Sequence, residues 1–136
     1  MKRILADTNF YGLLAKDPQR LEVVGSIKSE RVLIVYGFRV VRNELRDIPK
    51  KIRIEGKNLR IDLLNLYDSI TKRDIPDSGK VDELAETYYR IFRELGGIIS
   101  YQKIRNDLKI VAAASLSSLD VIVSDDNDTM LHDAAT

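Results

Sequence analysis

Ile4-Leu5-Ala6-Asp7-Thr8-Asn9 near the start of the chain and Val121-Ile122-Val123-Ser124-Asp125-Asp126-Asn127-Asp128 near its end follow one pattern, a short apolar run that stops abruptly at acids. Such runs read as buried strands. A strand ending in a carboxylate delivers it to one rim of a sheet, and in parallel α/β sheets ligands bind in the crevice outside the strands' carboxyl ends. Two such strands converge several acids on one spot. Clustered carboxylates repel and resist joint ionisation, which a divalent cation relieves. The chemistry implied is metal-assisted cleavage of a phosphodiester.

The rest of the composition narrows that chemistry. At 136 residues the chain fits a single domain, residues 1–136, with a core that requires no disulfide or structural metal. It has no cysteine, which removes thiolate zinc sites and thiol nucleophiles and fits a reducing cytoplasm. His132 is its sole histidine, so neither a His-based triad nor a multi-histidine zinc site can be assembled from one copy. Oxygen ligands then favour Mg²⁺ or Mn²⁺. The longest strongly apolar stretch, residues 32–38, is far short of the roughly 20 residues of a membrane helix. Neither a membrane span nor a signal peptide is expected.

Charge is balanced overall, 22 Lys and Arg against 21 Asp and Glu, but not evenly spread. Residues 39–60 hold eight bases (Arg39, Arg42, Arg46, Lys50, Lys51, Arg53, Lys57, Arg60) against three acids, whereas residues 124–133 hold four aspartates and no Lys or Arg. A basic arm beside an acidic pocket suits a nuclease, although any single base is as well explained by a solvated helix face.

Periodicity orders the chain as strands alternating with helices. Residues 3–6 read as a strand, and Asp17-Pro18 opens a helix carrying Leu21, Val24 and Ile27. Residues 32–36 form a second strand broken by Gly37, followed by a helix outlined by Phe38, Val40, Val41, Leu45 and Ile48 and ended by Pro49. Leu59, Leu63, Leu66 and Ile70 mark an amphipathic helix that opens after Gly56 and closes before Pro76. Another follows Ser78-Gly79, with Val81, Leu84, Ala85, Tyr88, Phe92 and Leu95 on one face and Glu83 and Glu86 on the other, stopped by Gly96-Gly97. Residues 104–116 are helical and alanine-rich, and residues 121–123 form the last strand. With no tight hairpin expected, the class is α/β, a single-domain parallel sheet flanked by helices.

Two acids break their own patterns. Glu44 lies four residues after Val40 and four before Ile48, and Asp107 three after Ile104 and four before Val111, so both carboxylates fall on apolar helix faces. A buried carboxylate needs a base, a proton or a metal; Arg42 and Arg105 lie nearby in sequence. Asp7 has a further explanation as a helix N-cap, as does one acid of residues 124–128. Capping does not explain three aspartates within four residues.

Taken in order, Asp7-Thr8-Asn9, Arg42-Asn43-Glu44-Leu45, Asp107 with Ile110 and Val111, and Ser124-Asp125-Asp126-Asn127-Asp128 resemble a PIN domain, and within it the small VapC-type toxin ribonucleases. The resemblance covers nearly the whole chain and implies an α/β/α sandwich. By position it puts the family's acids on Asp7, Glu44, Asp107 and Asp126, with Asp125 and Asp128 as neighbours able to bind metal directly or through water. Asn9 and Ser124 fall where similar proteins orient those acids by hydrogen bonds. Thr129 stands where the family is often aromatic, and family members commonly continue beyond the position of Thr136.

The resemblance implies an endoribonuclease that uses Mg²⁺ or Mn²⁺ to activate water, with Arg39, Arg42 and Arg46 on the RNA backbone. A cognate antitoxin is the implied protein partner. Homodimerisation is expected as well, because Leu59, Leu63, Leu66, Ile70 and the face from Val81 to Leu95 offer more apolar surface than a small sheet covers. The rival readings are a non-catalytic PIN-like scaffold, an RNA-processing nuclease and a DNA-directed PIN nuclease. Aspartyl phosphotransfer fits poorly, since Asn9 stands where a dehalogenase-like phosphatase has its second acid and a receiver domain pairs its acids at the first strand.

Overall fold

A computed structural model describes residues 2–124. In chain order its elements are β1 (Lys2–Ala6), α1 (Thr8–Lys16), α2 (Arg20–Ser29), β2 (Leu33–Phe38), α3 (Arg39–Arg46), β3 (Arg53–Ile54), β4 (Lys57–Asn58), α4 (Leu59–Ile70), β5 (Thr71–Ile75), α5 (Gly79–Glu94), α6 (Tyr101–Leu116) and β6 (Val121–Val123). Four strands make a parallel sheet in the order β5-β2-β1-β6. The class is α/β, a parallel sheet flanked by helices.

The order of the strands positions the site. The chain steps from β1 to β2 to β5 in one direction and then returns past β1 to β6, pairing Leu5 with Tyr36 on one side and with Ile122 on the other. Parallel crossovers are right-handed, so a return connection carries its helices over the opposite face. The reversal falls between β1 and β6. Crevices of doubly wound sheets open at such a reversal, outside the carboxyl ends of the strands. Beneath it lies a core in which Leu5, Tyr11, Phe38, Leu45, Leu63, Ile70, Leu108 and Ile110 are fully buried.

Several elements differ from the sequence reading. The helix expected to reach Pro76 ends at Ile70, and residues 71–75 form the edge strand β5. Its pattern is nearly all polar, with Ile75 the one buried residue, as an edge strand facing water permits. Gly37 does not end β2 but lies within it, opposite Asp74. A Cβ there would stand 2.5 Å from both the Tyr67 hydroxyl and an Asp74 carboxylate oxygen, so close approach rather than strand-breaking explains the glycine. A tight antiparallel hairpin also exists: β3 and β4 are joined by Glu55 and Gly56, both at positive φ.

The apolar excess read from α4 is absent. Leu63, Leu66 and Ile70 are buried within this chain, as are Val81 and Ala85 of α5, because α4 packs against α1, α2 and α3, and α5 against α6. Exposed apolar side chains are scattered, Leu21 and Ile61 among them, and follow one another most closely at the far end of α5 and beyond it, at Ile91, Leu95, Ile98 and Ile99. No helix among the described residues is long and apolar enough to cross a membrane.

One core group is left unsatisfied. The Tyr11 hydroxyl is buried with no hydrogen-bond partner among the described residues, 5.5 Å between ring centroids from Tyr67, whose own hydroxyl donates to the Phe38 carbonyl at 3.3 Å. Burial, then the neighbouring Tyr67, pushes the Tyr11 phenol far up; burial, then Asp74, pushes Tyr67 up to about 12. Removing an unpaired buried hydroxyl removes its desolvation cost, so Tyr11→Phe should raise stability by about 1 kcal/mol at neutral pH. Both phenols stay protonated in the fold above the ordinary value of about 10, where the unfolded chain has already lost its protons. Stability should therefore be intact below pH 10 and fall above it, by at most about 1.4 kcal/mol per pH unit for each phenol. Urea midpoints at pH 7 and pH 11 check both signs: the variant starts higher and loses less.

Candidate active site

Asp7 is the first residue past β1. Its backbone is extended, its N–H donates to the Val123 carbonyl at 3.0 Å, and pairing with β6 thus continues to the tip of the strand. One carboxylate oxygen accepts from the Phe10 N–H at 3.1 Å, capping α1. The other accepts from the Ser124 hydroxyl at 2.5 Å, across 117 positions of sequence. Capping alone engages one oxygen. Ser124 orients the second, and the whole residue is only 6 % exposed.

Glu44 is half-buried on α3, beside the buried Val40, Val41 and Leu45. One of its oxygens accepts from the Thr8 hydroxyl at 2.6 Å and the other from the Asn106 amide at 3.3 Å. It has no cationic partner among the described residues; Arg42 is engaged by Asp68 instead. An acid in the last turn of a helix opposes the helix dipole, so contacts from other elements must hold it. The adjacent residues Asp7 and Thr8 thereby tie Ser124, Glu44 and Asn106 into one hydrogen-bonded set at the carboxyl edge. Asp107 is half-buried on α6, next in the chain to Asn106.

The residues found by sequence reasoning divide accordingly. Asp7, Glu44 and Ser124 join one set, and Asp107 lies beside a member of it. Asn9 is exposed and its side chain makes no hydrogen bond among the described residues; Thr8, its neighbour, does the holding. Asp125, Asp126 and Asp128 lie outside the described residues. Asn106 carried no signal in the sequence, since a polar residue on a mixed helix face is unremarked until its partner is known.

Among the described residues no group of three or more acidic or histidine side chains is gathered closely enough to hold a metal ion. The donors that Asp7 and Glu44 bring are nonetheless all carboxylate oxygens. Each oxygen accepts two hydrogen bonds or ligates while accepting one, so the donor set fits a hard cation such as Mg²⁺ or Mn²⁺.

A second feature adjoins the first across α3. Arg39, Arg42, Asn43 and Arg46 recur at i, i+3, i+4 and i+7 and line a cavity of about 630 Å³ with Tyr67, Asp74 and Asp77. Arg42 meets both Asp68 oxygens at 3.3 Å and sits 5.9 Å over the Tyr67 ring, and its bond to Asp68 raises its pKa. Arg39 and Arg46 have no acidic partner among the described residues. The other bases of residues 39–60 fall elsewhere: Lys50, Lys51, Arg53 and Lys57 are exposed on or just before the hairpin, and Arg60 is half-buried on α4. Lys109 on α6 spans Asp77, just past β5, at 3.0 Å and Asp82 on α5 at 3.1 Å; burial alone would lower its pKa, and these bonds outweigh it.

Compared with known proteins, the sequence matches no family model and no curated protein.

The double engagement of Asp7 separates its structural from its chemical role. Asp7→Ala deletes both the cap and the Ser124 bond and should cost about 1–2 kcal/mol of stability. Asp7→Asn keeps an oxygen for Phe10 and should lie within about 1 kcal/mol of the parent. Chemical denaturation of the three proteins measures the difference.

Proposed function

We propose that this chain is a divalent-metal-dependent endoribonuclease that hydrolyses RNA phosphodiester bonds at the carboxyl edge of β1 and β6. The observation that carries the reading is the buried Asp7 carboxylate, held by Ser124 from the neighbouring parallel strand and joined through Thr8 to Glu44. A helix cap needs neither of those bonds, only the one from the Phe10 N–H. A buried and a half-buried carboxylate on which elements from across the fold converge, with no cationic partner for Glu44 among the described residues, are better explained by a divalent cation as their common ligand.

In this reading Asp7, Glu44, Asp107 and Asp126 hold Mg²⁺ or Mn²⁺, with Asp125 and Asp128 beside them. Such an ion, when bound, lowers the pKa of an attacking water and offsets charge building on the phosphate oxygens. The chain's residues do the rest. Ser124 and Thr8 fix the orientation of Asp7 and Glu44, the task that partners of metal ligands perform elsewhere. Arg39 and Arg46 take backbone phosphates and set the strand's register. The same reading includes a toxin role in the cytoplasm, a cognate antitoxin as protein partner and a homodimer, the last supported by the exposed Ile91, Leu95, Ile98 and Ile99.

The purified chain should cleave RNA with Mn²⁺ or Mg²⁺ and stop on chelation. Asp7→Asn should abolish cleavage without loss of fold, and Ser124→Ala should lower it about 10- to 100-fold. Gel assays with parent and variants in parallel decide the matter. If Asp7→Asn cuts as fast as the parent, the site is elsewhere, and if the parent cuts no RNA offered, the scaffold reading replaces this one.

A further inference from the structure

The cavity beside α3 combines two recognition chemistries that a phosphate clamp alone does not need. Arg39 and Arg46 offer cationic donors without acidic partners among the described residues, while Asp74, which also lines the cavity, is an exposed carboxylate with neither hydrogen bond nor ion pair among them. Arg42, the nearby cation that bears on Asp74 electrostatically, is already bound to Asp68. Asp74 is held at the cavity by the strand register that sets it opposite Gly37, and the missing Cβ of Gly37 leaves room for its carboxylate and for the Tyr67 hydroxyl. A ligand that satisfies both kinds of group brings an anion to the arginines and an N–H edge to the aspartate. At about 630 Å³ the space lies within the range of small-molecule sites.

We infer that this cavity seats one nucleotide of the RNA substrate, next to the cleaved bond, and selects guanine through Asp74. Guanine's pairing edge presents two adjacent N–H donors, which match the two oxygens of a carboxylate; adenine and cytosine present one amino group beside an acceptor, and uracil a single imide N–H between two carbonyls. β5 and β1 are two strand positions apart in the sheet, about 10 Å, so a strand crossing the carboxyl edge reaches both the acids at β1 and the cavity at β5. Arg39 and Arg46 then hold the phosphate of whichever nucleotide enters, and Asp74 decides which base stays. The identity of the ligand as an RNA nucleotide rests on the ribonuclease reading; the pairing of anion and donor-edge recognition does not.

The test is binding of GMP, AMP, CMP, UMP and inorganic phosphate to the full chain in chelator, followed by NMR amide shifts. GMP should bind tightest, moving the amides of Gly37, Arg39, Arg46 and Asp74. Asp74→Asn should remove that preference, weakening GMP about tenfold or more while leaving UMP nearly unchanged. Arg46→Ala should weaken all four nucleotides alike. Equal binding of the four, phosphate binding as tightly as GMP, or shifts confined to another surface would overturn the inference. Cleavage is scored separately. A chain that cuts RNA yet binds the four alike defeats the base selection alone, and one that prefers GMP in this way but cuts nothing defeats the nuclease reading alone.

Discussion

A carboxylate at the inner end of a central strand has to be held by donors from the elements around it, because water cannot reach it freely and the sheet leaves no room for it to turn away. Asp7 meets that constraint with the Phe10 N–H on one oxygen and the Ser124 hydroxyl on the other. Much of the edge follows from it. Ser124 can reach Asp7 because β6 pairs with β1 in parallel register up to Val123, and α1 starts where it does because Asp7 caps it. Thr8, next in the chain, is then directed at Glu44, which draws α3 and, through Asn106, α6 toward the same point.

Helix α3 divides the edge by charge. Its buried residues Val40, Val41 and Leu45 anchor it, Glu44 turns toward β1, and Arg39, Arg42 and Arg46 turn toward β5. Acids and arginines on one short helix, facing opposite ways, keep a carboxylate set apart from a guanidinium one. A polyanion drawn in by the arginines reaches the acids only where a cation offsets their charge. The geometry thus suits a substrate that lies across the helix rather than one that enters a single deep hole.

The fold was legible in the sequence wherever burial imposed a period. β1, β2, α4, α5 and α6 show apolar runs or helical spacing because each has a face in the core. β5 escaped because an edge strand with Ile75 as its one buried residue has no period to read, and the hairpin because two-residue strands are too short for one. Gly37 misled for a related reason: the neighbours that require a glycine, Tyr67 and Asp74, are 30 and 37 positions away, so the sequence displays the gap but not what fills it. At the site, Asp7 stood out by ending an apolar run, and Glu44 and Asp107 by falling on apolar helix faces. Thr8 and Asn106 did not, since a hydroxyl or amide at a helix surface is ordinary until its distant partner is known.

The central claim is that the acids at the tips of β1 and β6 are a divalent-cation site. Titrating Mn²⁺ into isotopically labelled protein tests it most directly, because a bound paramagnetic ion broadens the signals of nearby amides and spares distant ones. The account predicts that substoichiometric Mn²⁺ erases the amides of Asp7, Thr8, Glu44, Asn106, Asp107 and Ser124, that those of the Arg53–Ile54 and Lys57–Asn58 hairpin persist, and that Asp7→Asn abolishes the effect. Uniform weak broadening, or broadening centred on another part of the surface, would contradict it.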